Sequence, residues 1–259
     1  MLKFILEVIN LEVNIKSEVM KKIAQNVEKR KPLIVGFEGI DGSSKGTQSE
    51  LMATALENMG YKVLVADFPS YSEFFGKEIG RLLSGKDIVD ANSTEPKSMA
   101  LWYALDRFEF FKTHNINEYD VVIMNRSTYS NVGFQTTRVH VDKQKEFIDW
   151  LFELEFEKLH IPKPDLVYYL SIDAETSSKN VAKKGHRDYV GDSADVYESS
   201  DSMMNDVINV YDYIASIEDS FVKVNCLNED GNMYSIMEIN QKLIMPVGKL
   251  VEVRYHQHD

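Results

Sequence analysis

The chain has 259 residues, 44% hydrophobic and 27% charged, with a formal net charge of −12. That is globular composition with enough chain for one large core. So acidic a balance argues against nucleic-acid binding, which relies on clustered Lys and Arg, but it leaves phosphate ligands open because a pocket can be basic locally. The single cysteine, Cys226, cannot form an intramolecular disulfide, and a reducing, cytoplasmic compartment is expected. No run approaches the roughly 18 apolar residues of a membrane span. The apolar start, Met1 to Ile9, is short and carries Glu7, Glu12 follows it, and no small-residue cleavage site comes after, so no signal peptide is expected. No Cys/His cluster has zinc-site spacing, and His256 and His258 read as a solvated tail.

Along the chain, Leu11 to Lys31 mixes apolar residues with Lys and Glu at roughly helical spacing and reads as an added helix that ends at Pro32. Residues 1–31 are therefore expected to be an N-terminal helical extension. Leu33 to Phe37 is an apolar run that reads as a buried parallel strand, and Ser49 to Glu57 reads as a helix. Between them lies Glu38-Gly39-Ile40-Asp41-Gly42-Ser43-Ser44-Lys45-Gly46-Thr47-Gln48. Strand, glycine-rich turn and helix is the context of a phosphate-binding loop. Backbone N–H groups of such a turn cradle phosphate oxygens, and the helix N-terminus adds partial positive charge. Gly39, Asp41, Gly42, Ser43, Ser44, Lys45, Gly46 and Thr47 are the candidate ATP-binding residues, with Lys45 on the outer phosphates. The loop departs from G-x-x-x-x-G-K-[ST]: Ser44 stands where the second glycine belongs, and the hydroxyl expected after Lys45 is displaced to Thr47.

Further strands are expected at Lys62–Ala66, Val121–Met124, Asp165–Ile172 and Phe221–Asn225. Helices are expected at Glu73–Leu83, Ser98–Lys112, Asp142–His160, Met203–Ile217 and Ser235–Ile244. Gly85 to Pro96 reads as a polar connection and Thr176 to Ser200 as a polar interruption. Alternation of this kind predicts a mostly parallel sheet covered by helices, with ligands beyond the carboxyl ends of its strands. The expected layout is one domain over residues 32–245 and a tail over 246–259.

Five later segments extend the reading. They are Asp67-Phe68-Pro69, Leu101-Trp102-Tyr103-Ala104-Leu105-Asp106-Arg107, Asn125-Arg126-Ser127 through Gln135, Pro162-Lys163-Pro164-Asp165-Leu166, and Asp195-Val196-Tyr197-Glu198. In this order and spacing, from about Leu33 to about Ile244, the chain resembles the thymidylate kinase family, which phosphorylates dTMP with ATP. The resemblance implies an α/β P-loop kinase fold with a five-stranded parallel sheet flanked by helices, a mobile lid, Mg2+ and a homodimer, with ATP and dTMP as partners and neither nucleic acid nor membrane.

It also implies roles for single residues. Lys45, Arg126 and the lid residue Arg187 would be catalytic, and a guanidinium fork suits phosphate better than an ammonium does. Tyr103 would stack on thymine and Arg107, one helical turn on, would bond its edge. Ser130 and Asn131 would approach the base, Asp41 the sugar 3′-hydroxyl, and Tyr197 the deoxyribose. Phe68, Pro69, Tyr71 and Gln135 complete the implied substrate site, and Thr47 and Asn125 the metal site. Lys183 to Glu198 resembles the lid, and Trp102 reads as core. The departures concern charge: Asn125 stands where the family has aspartate, and Tyr71 and Val196 where it has arginine. Two other readings compete. A deoxynucleoside kinase lacks here the glutamate that activates a 5′-hydroxyl, and a degenerate nucleotide-binding protein would fit the lost charges but not the retained Lys45, Arg107 and Arg126. No Asn-Lys-x-Asp motif supports a GTPase.

Overall fold

Five short apolar runs build the centre of the molecule: β1 (Leu33–Glu38), β2 (Val63–Asp67), β3 (Val121–Asn125), β4 (Leu166–Ser171) and β5 (Phe221–Asn225). The computed structural model describes residues 32–183, Tyr197 and residues 201–256. The extension over 1–31 therefore lies outside the described residues, as do Lys184, Arg187, Val196, Glu198 and the side chains of His256 and His258. The strands form one sheet in the order β2-β3-β1-β4-β5, and every pair is parallel. The helices are α1 (Lys45–Asn58), α2 (Phe74–Leu83), α3 (Pro96–Thr113), α4 (Thr128–Thr136), α5 (Gln144–Phe152), α6 (Ala174–Lys183), α7 (Asp201–Ile217) and α8 (Ile236–His256). This is the expected five-stranded parallel sheet flanked by helices.

Strand alternation sorts the core into two faces. Leu33, Val35 and Phe37 join Val121 and Ile123 in the large cluster. Ile34 points the other way, with Val122, Met124 and Phe68, into a smaller cluster edged by Phe110 and Phe111. Glu38 and Asn125 end β1 and β3, so the apolar ladders deliver polar side chains at their carboxyl ends.

Several boundaries differ from expectation. Helix α1 starts at Lys45 rather than Ser49, which puts the loop lysine in the first helical turn. Helix α4 was not expected, because all nine of its residues are buried and it has no polar face to make a pattern. Helix α6 begins two residues before the stretch read as a polar interruption and runs into it, and it buries only Ala174 and Ser177. The expected helix 142–160 is a 3-10 turn, then α5, then a π turn at Glu153–Lys158 that buries Glu155. Helix α8 passes through Pro246 and continues to His256. Val247, Leu250 and Val251 are buried, and Arg254 lies 3.5 Å from Asp165, whose carboxylate also accepts from the Ile34 N–H at 2.8 Å. Residues 246–254 thus pack with the domain, correcting the expected tail there, because Leu243, Val247, Leu250 and Val251 keep the helical apolar spacing across a proline that removes one backbone donor.

Among the described residues no helix is long and apolar enough to cross a membrane. Cys226 is buried, and burial pushes its thiol up to about 12.

Candidate active site

The chain leaves β1 at Glu38, turns through residues 39–44 and enters α1 at Lys45. Gly42 sits at φ 77°, and a Cβ there would lie 2.9 Å from both the Ser177 carbonyl oxygen and the Asn180 Cβ, so only glycine fits. Helix α6 grips the loop from outside: Ser177 Oγ donates to the Asp41 carbonyl at 2.6 Å, and Asn180 Nδ2 donates to the Gly42 carbonyl at 3.0 Å. Ser44 caps α1 in the left-handed region, at φ 68° and ψ 17°, without a side-chain cap bond. Such a conformation costs a non-glycine residue about 1–3 kcal/mol. The hydroxyls of Ser43 and Ser44 are buried and have no hydrogen-bond partner among the described residues. Lys45 Nζ donates to the Ile40 carbonyl at 2.9 Å and lies 3.9 Å from the Asp41 carboxylate.

Arg126, directly after β3, also has a positive φ of 68°. Its Nη2 donates to Asp41 Oδ1 at 2.5 Å and its Nη1 to Ser130 Oγ at 3.3 Å, and its guanidinium lies over the Phe134 ring. Burial alone would lower its pKa, but Asp41, with Tyr211 and Glu38, carries it above the ordinary arginine value. Glu38 fixes the start of α4, a role that the sequence did not reveal. Fully buried, it accepts from the Ser127 N–H and Oγ at 2.7 Å each, the Ser130 N–H at 3.1 Å, Ser130 Oγ at 2.6 Å and the Tyr211 hydroxyl at 3.0 Å. A carboxylate at a helix N-terminus satisfies its free N–H groups and complements its dipole.

These elements enclose a cavity of about 290 Å3. Asp41, Asp67 and Arg126 line it, as do Phe68, Pro69, Tyr71 and Tyr103, and Arg107, Ser130 and Asn131 with Phe134 and Tyr197. Most residues expected at the substrate site therefore meet in one place. Arg107 reaches the wall as expected, and it is also anchored from behind. Its Nε and Nη2 both pair with Glu155, at 2.7 and 2.6 Å, in an ion pair buried on both sides. The same carboxylate accepts from Thr128 Oγ1 at 2.8 Å and from Asn131 Nδ2 at 2.9 Å, and Asn131 Nδ2 also donates to the Ala100 carbonyl at 3.0 Å. Asn131 Oδ1 is buried without a partner among the described residues.

Gln135 does not line the cavity. Its Nε2 donates to the Tyr197 hydroxyl at 3.3 Å and its Oε1 accepts from Arg138 at 2.7 Å, so it supports Tyr197 from behind. Arg138, missed in the sequence, also donates to the Tyr197 hydroxyl at 3.0 Å and to the carbonyls of Asn92 and Thr94. Asp106 accepts from the Ser70 N–H at 3.1–3.2 Å, tying α3 to the Phe68-Pro69-Ser70 turn, and burial pushes its carboxyl up to about 6.

For a cation the relevant atoms are oxygens. Asn125 Nδ2 donates to Asp67 Oδ1 at 2.7 Å, and Asn125 Oδ1 is buried without a partner among the described residues. Burial raises the pKa of Asp67. Thr47 is exposed in the first turn of α1. Among the described residues no group of three or more His, Cys, Asp or Glu could hold a metal by itself. One carboxylate and an amide oxygen beside a phosphate loop fit a hard cation that shares its ligands with phosphates and water.

Residues 37–230 match the family model described as thymidylate kinase. The chain belongs to the thymidylate kinase family. It is 29% identical over 187 residues to the thymidylate kinase of Mycobacterium tuberculosis (strain H37Rv), covering 71% of this chain and 86% of that one. It is 33% identical over 152 residues to a probable thymidylate kinase of Pyrococcus horikoshii, covering 58% and 69%. A solved thymidylate kinase from Candida albicans superposes with a TM-score of 0.66 over 86% of this chain and 94% of that chain, and at 21% identity this likeness shows the fold. Family membership accounts for the loop, Arg126 and the cavity together. It does not account for Asn125 and Tyr71, which depart from the expected charges.

Proposed function

We propose that this protein transfers the γ-phosphoryl group of ATP to dTMP, giving ADP and dTDP. The observation that carries the base assignment is the orientation of Asn131. Its Nδ2 is committed to Glu155 and Ala100, which leaves the acceptor Oδ1 for a ligand. Arg107 has two nitrogens on Glu155, and its Nη1 remains as a donor in the same wall. An acceptor beside a donor complements the N3–H and O4 of thymine or uracil. The N3 and amino group of cytosine present the opposite pattern, and a site with fixed polarity rejects it.

The chemistry needs little beyond positioning and charge. An oxygen of the dTMP phosphate, already anionic, forms the new bond to the γ-phosphorus while the bond to the β–γ bridging oxygen breaks, so no strong base is required. The loop N–H groups and Lys45 hold the donor phosphates, and Arg126 spans donor and acceptor. Asp41 orients Arg126 and approaches the sugar 3′-hydroxyl. Tyr103 and Tyr197 position base and deoxyribose, and Arg187 adds charge from the lid. Mg2+, when bound, neutralises phosphate charge, and Thr47 and Asn125 are its candidate ligands. The protein is read as a cytoplasmic homodimer with ATP and dTMP as its partners, and residues 1–31 as an extension outside the catalytic domain.

A coupled ADP-release assay across dTMP, dUMP, UMP, dCMP, AMP and thymidine tests this reading. Turnover should be best with dTMP and poor with dCMP and AMP. Turnover of thymidine without dTMP would make the protein a deoxynucleoside kinase. ATP binding without turnover of any acceptor would make it a nucleotide-binding protein that lacks the activity.

A further inference from the structure

Asp67 ends β2 and Asn125 ends β3, and the two are register partners across the parallel ladder. The 2.7 Å bond from Asn125 Nδ2 to Asp67 Oδ1 fixes the amide so that its oxygen is the atom left without a partner. The pair abuts the first turn of α1, directly after the loop: a Cβ on Gly46 would lie 3.5 Å from Asn125 Nδ2. Asp67 also lines the cavity beside Asp41 and Arg126. The negative charge that Asn125 lacks is therefore present in this site, one strand over.

We propose that Asp67 is the carboxylate that serves the Mg2+ of this enzyme, acting as a unit with Asn125, and that the charge expected at the end of β3 has been relocated to the end of β2. The proposal rests on the phosphoryl-transfer reading above. Mg2+ in nucleotide sites keeps several waters and takes one or two carboxylates beside the phosphates. A carboxylate can serve such an ion directly or through a coordinated water, and a neutral amide cannot supply its charge. Asp67 does both jobs at once: it carries the charge, and by accepting from Nδ2 it holds the Asn125 oxygen in a fixed orientation. Orienting contacts of this kind are worth roughly 10–100-fold in metal affinity.

The test uses a non-hydrolysable ATP analogue and Mg2+, measured by calorimetry on the full chain. The readout is the ratio of analogue affinity in Mg2+ to that in EDTA. Asp67→Asn should lower the ratio roughly tenfold or more. The exchange variant Asp67→Asn/Asn125→Asp, which returns the charge to β3, should restore it. An unchanged ratio in Asp67→Asn overturns the proposal, as does an exchange variant that stays low while unfolding at the native temperature. If Asp67→Asn fails to fold, Asn125→Asp alone decides: the ratio should rise, and an unchanged ratio overturns the proposal. A native protein that binds no analogue with or without Mg2+ overturns the kinase reading and this inference with it, whereas normal analogue binding with an unchanged ratio overturns this inference alone.

Discussion

At one part of the cavity wall three side chains, Arg107, Thr128 and Asn131, share the single buried carboxylate of Glu155. At the loop the arrangement is looser. Lys45 rests on the Ile40 carbonyl, Arg126 on Asp41, and buried oxygens of Ser43, Ser44 and Asn125 have no partner among the described residues. The Glu155 wall, where the proposed function seats the base, is thus fixed by the protein's own hydrogen bonds. The loop side, where the proposed function seats the triphosphate, holds Lys45 and Arg126 on internal acceptors. On the proposed reading, selectivity is built into the folded core, whereas charge stabilisation depends on groups able to change partners.

The largest loss of stability should follow removal of Glu155. Glu155→Ala leaves Arg107 charged and buried without its partner, a change that typically costs about 3–5 kcal/mol. Urea unfolding followed by circular dichroism reads it. A loss near the roughly 1 kcal/mol of an exposed pair would mean that the Glu155 cluster is not the anchor of the wall.

The loop behaves differently. Lys45→Ala should leave the fold in place but lower kcat about 10²–10³-fold, the usual loss when one preorganised group at developing phosphoryl charge is removed. Steady-state kinetics with dTMP, beside a thermal unfolding scan, separates the two effects. Turnover at the native rate would remove Lys45 from the donor site.

Asn131→Ala sharpens the contrast from the base side. Loss of the acceptor should weaken dTMP by about 1–3 kcal/mol, the penalty for leaving a buried polar group of the base unpaired. The kcat/KM ratio of dTMP to dCMP should fall accordingly, while kcat changes less than KM. A preserved ratio would show that the base is read elsewhere.

Much of this was legible in the sequence where one element carries the signal. β1, β3 and β4 are buried on both faces and read as unbroken apolar runs, and the loop announces itself between a strand and a helix. The partnerships that set the site were not legible, because they join distant residues. Arg107 and Glu155 are 48 positions apart, Asp67 and Asn125 are 58, and Glu38 and Tyr211 are 173. The π turn adds a local obstacle: five-residue hydrogen bonding shifts the helical register and turns Glu155 inward from a segment rich in charge. Helix α4 hid for the opposite reason. Burial of polar and apolar residues alike, with Ser127 and Ser130 satisfied by Glu38, erased its periodicity.

The smallest effect concerns Asp106, which joins the base helix α3 to the turn that carries Phe68 and Pro69. Its carboxyl is raised from 3.8 to about 6, chiefly by burial and also by Glu109 and Asp67, against the lowering influence of the Ser70 N–H and Arg107. The folded state therefore binds a proton that the unfolded state has released between these two values. By linkage this contribution is present at low pH and declines as pH rises through about 6, the reverse of a salt-bridged aspartate. Between about pH 5 and pH 7.5 it amounts to about 1 kcal/mol. Other carboxylates titrate nearby, so the comparison must be with Asp106→Asn, which keeps an acceptor for Ser70 but does not ionise. Urea midpoints at both pH values should show the native protein losing about 1 kcal/mol more than the variant on going to the higher pH. Parallel behaviour of the two proteins would mean that Asp106 is ionised throughout, held there by Ser70 and Arg107 more firmly than its burial opposes.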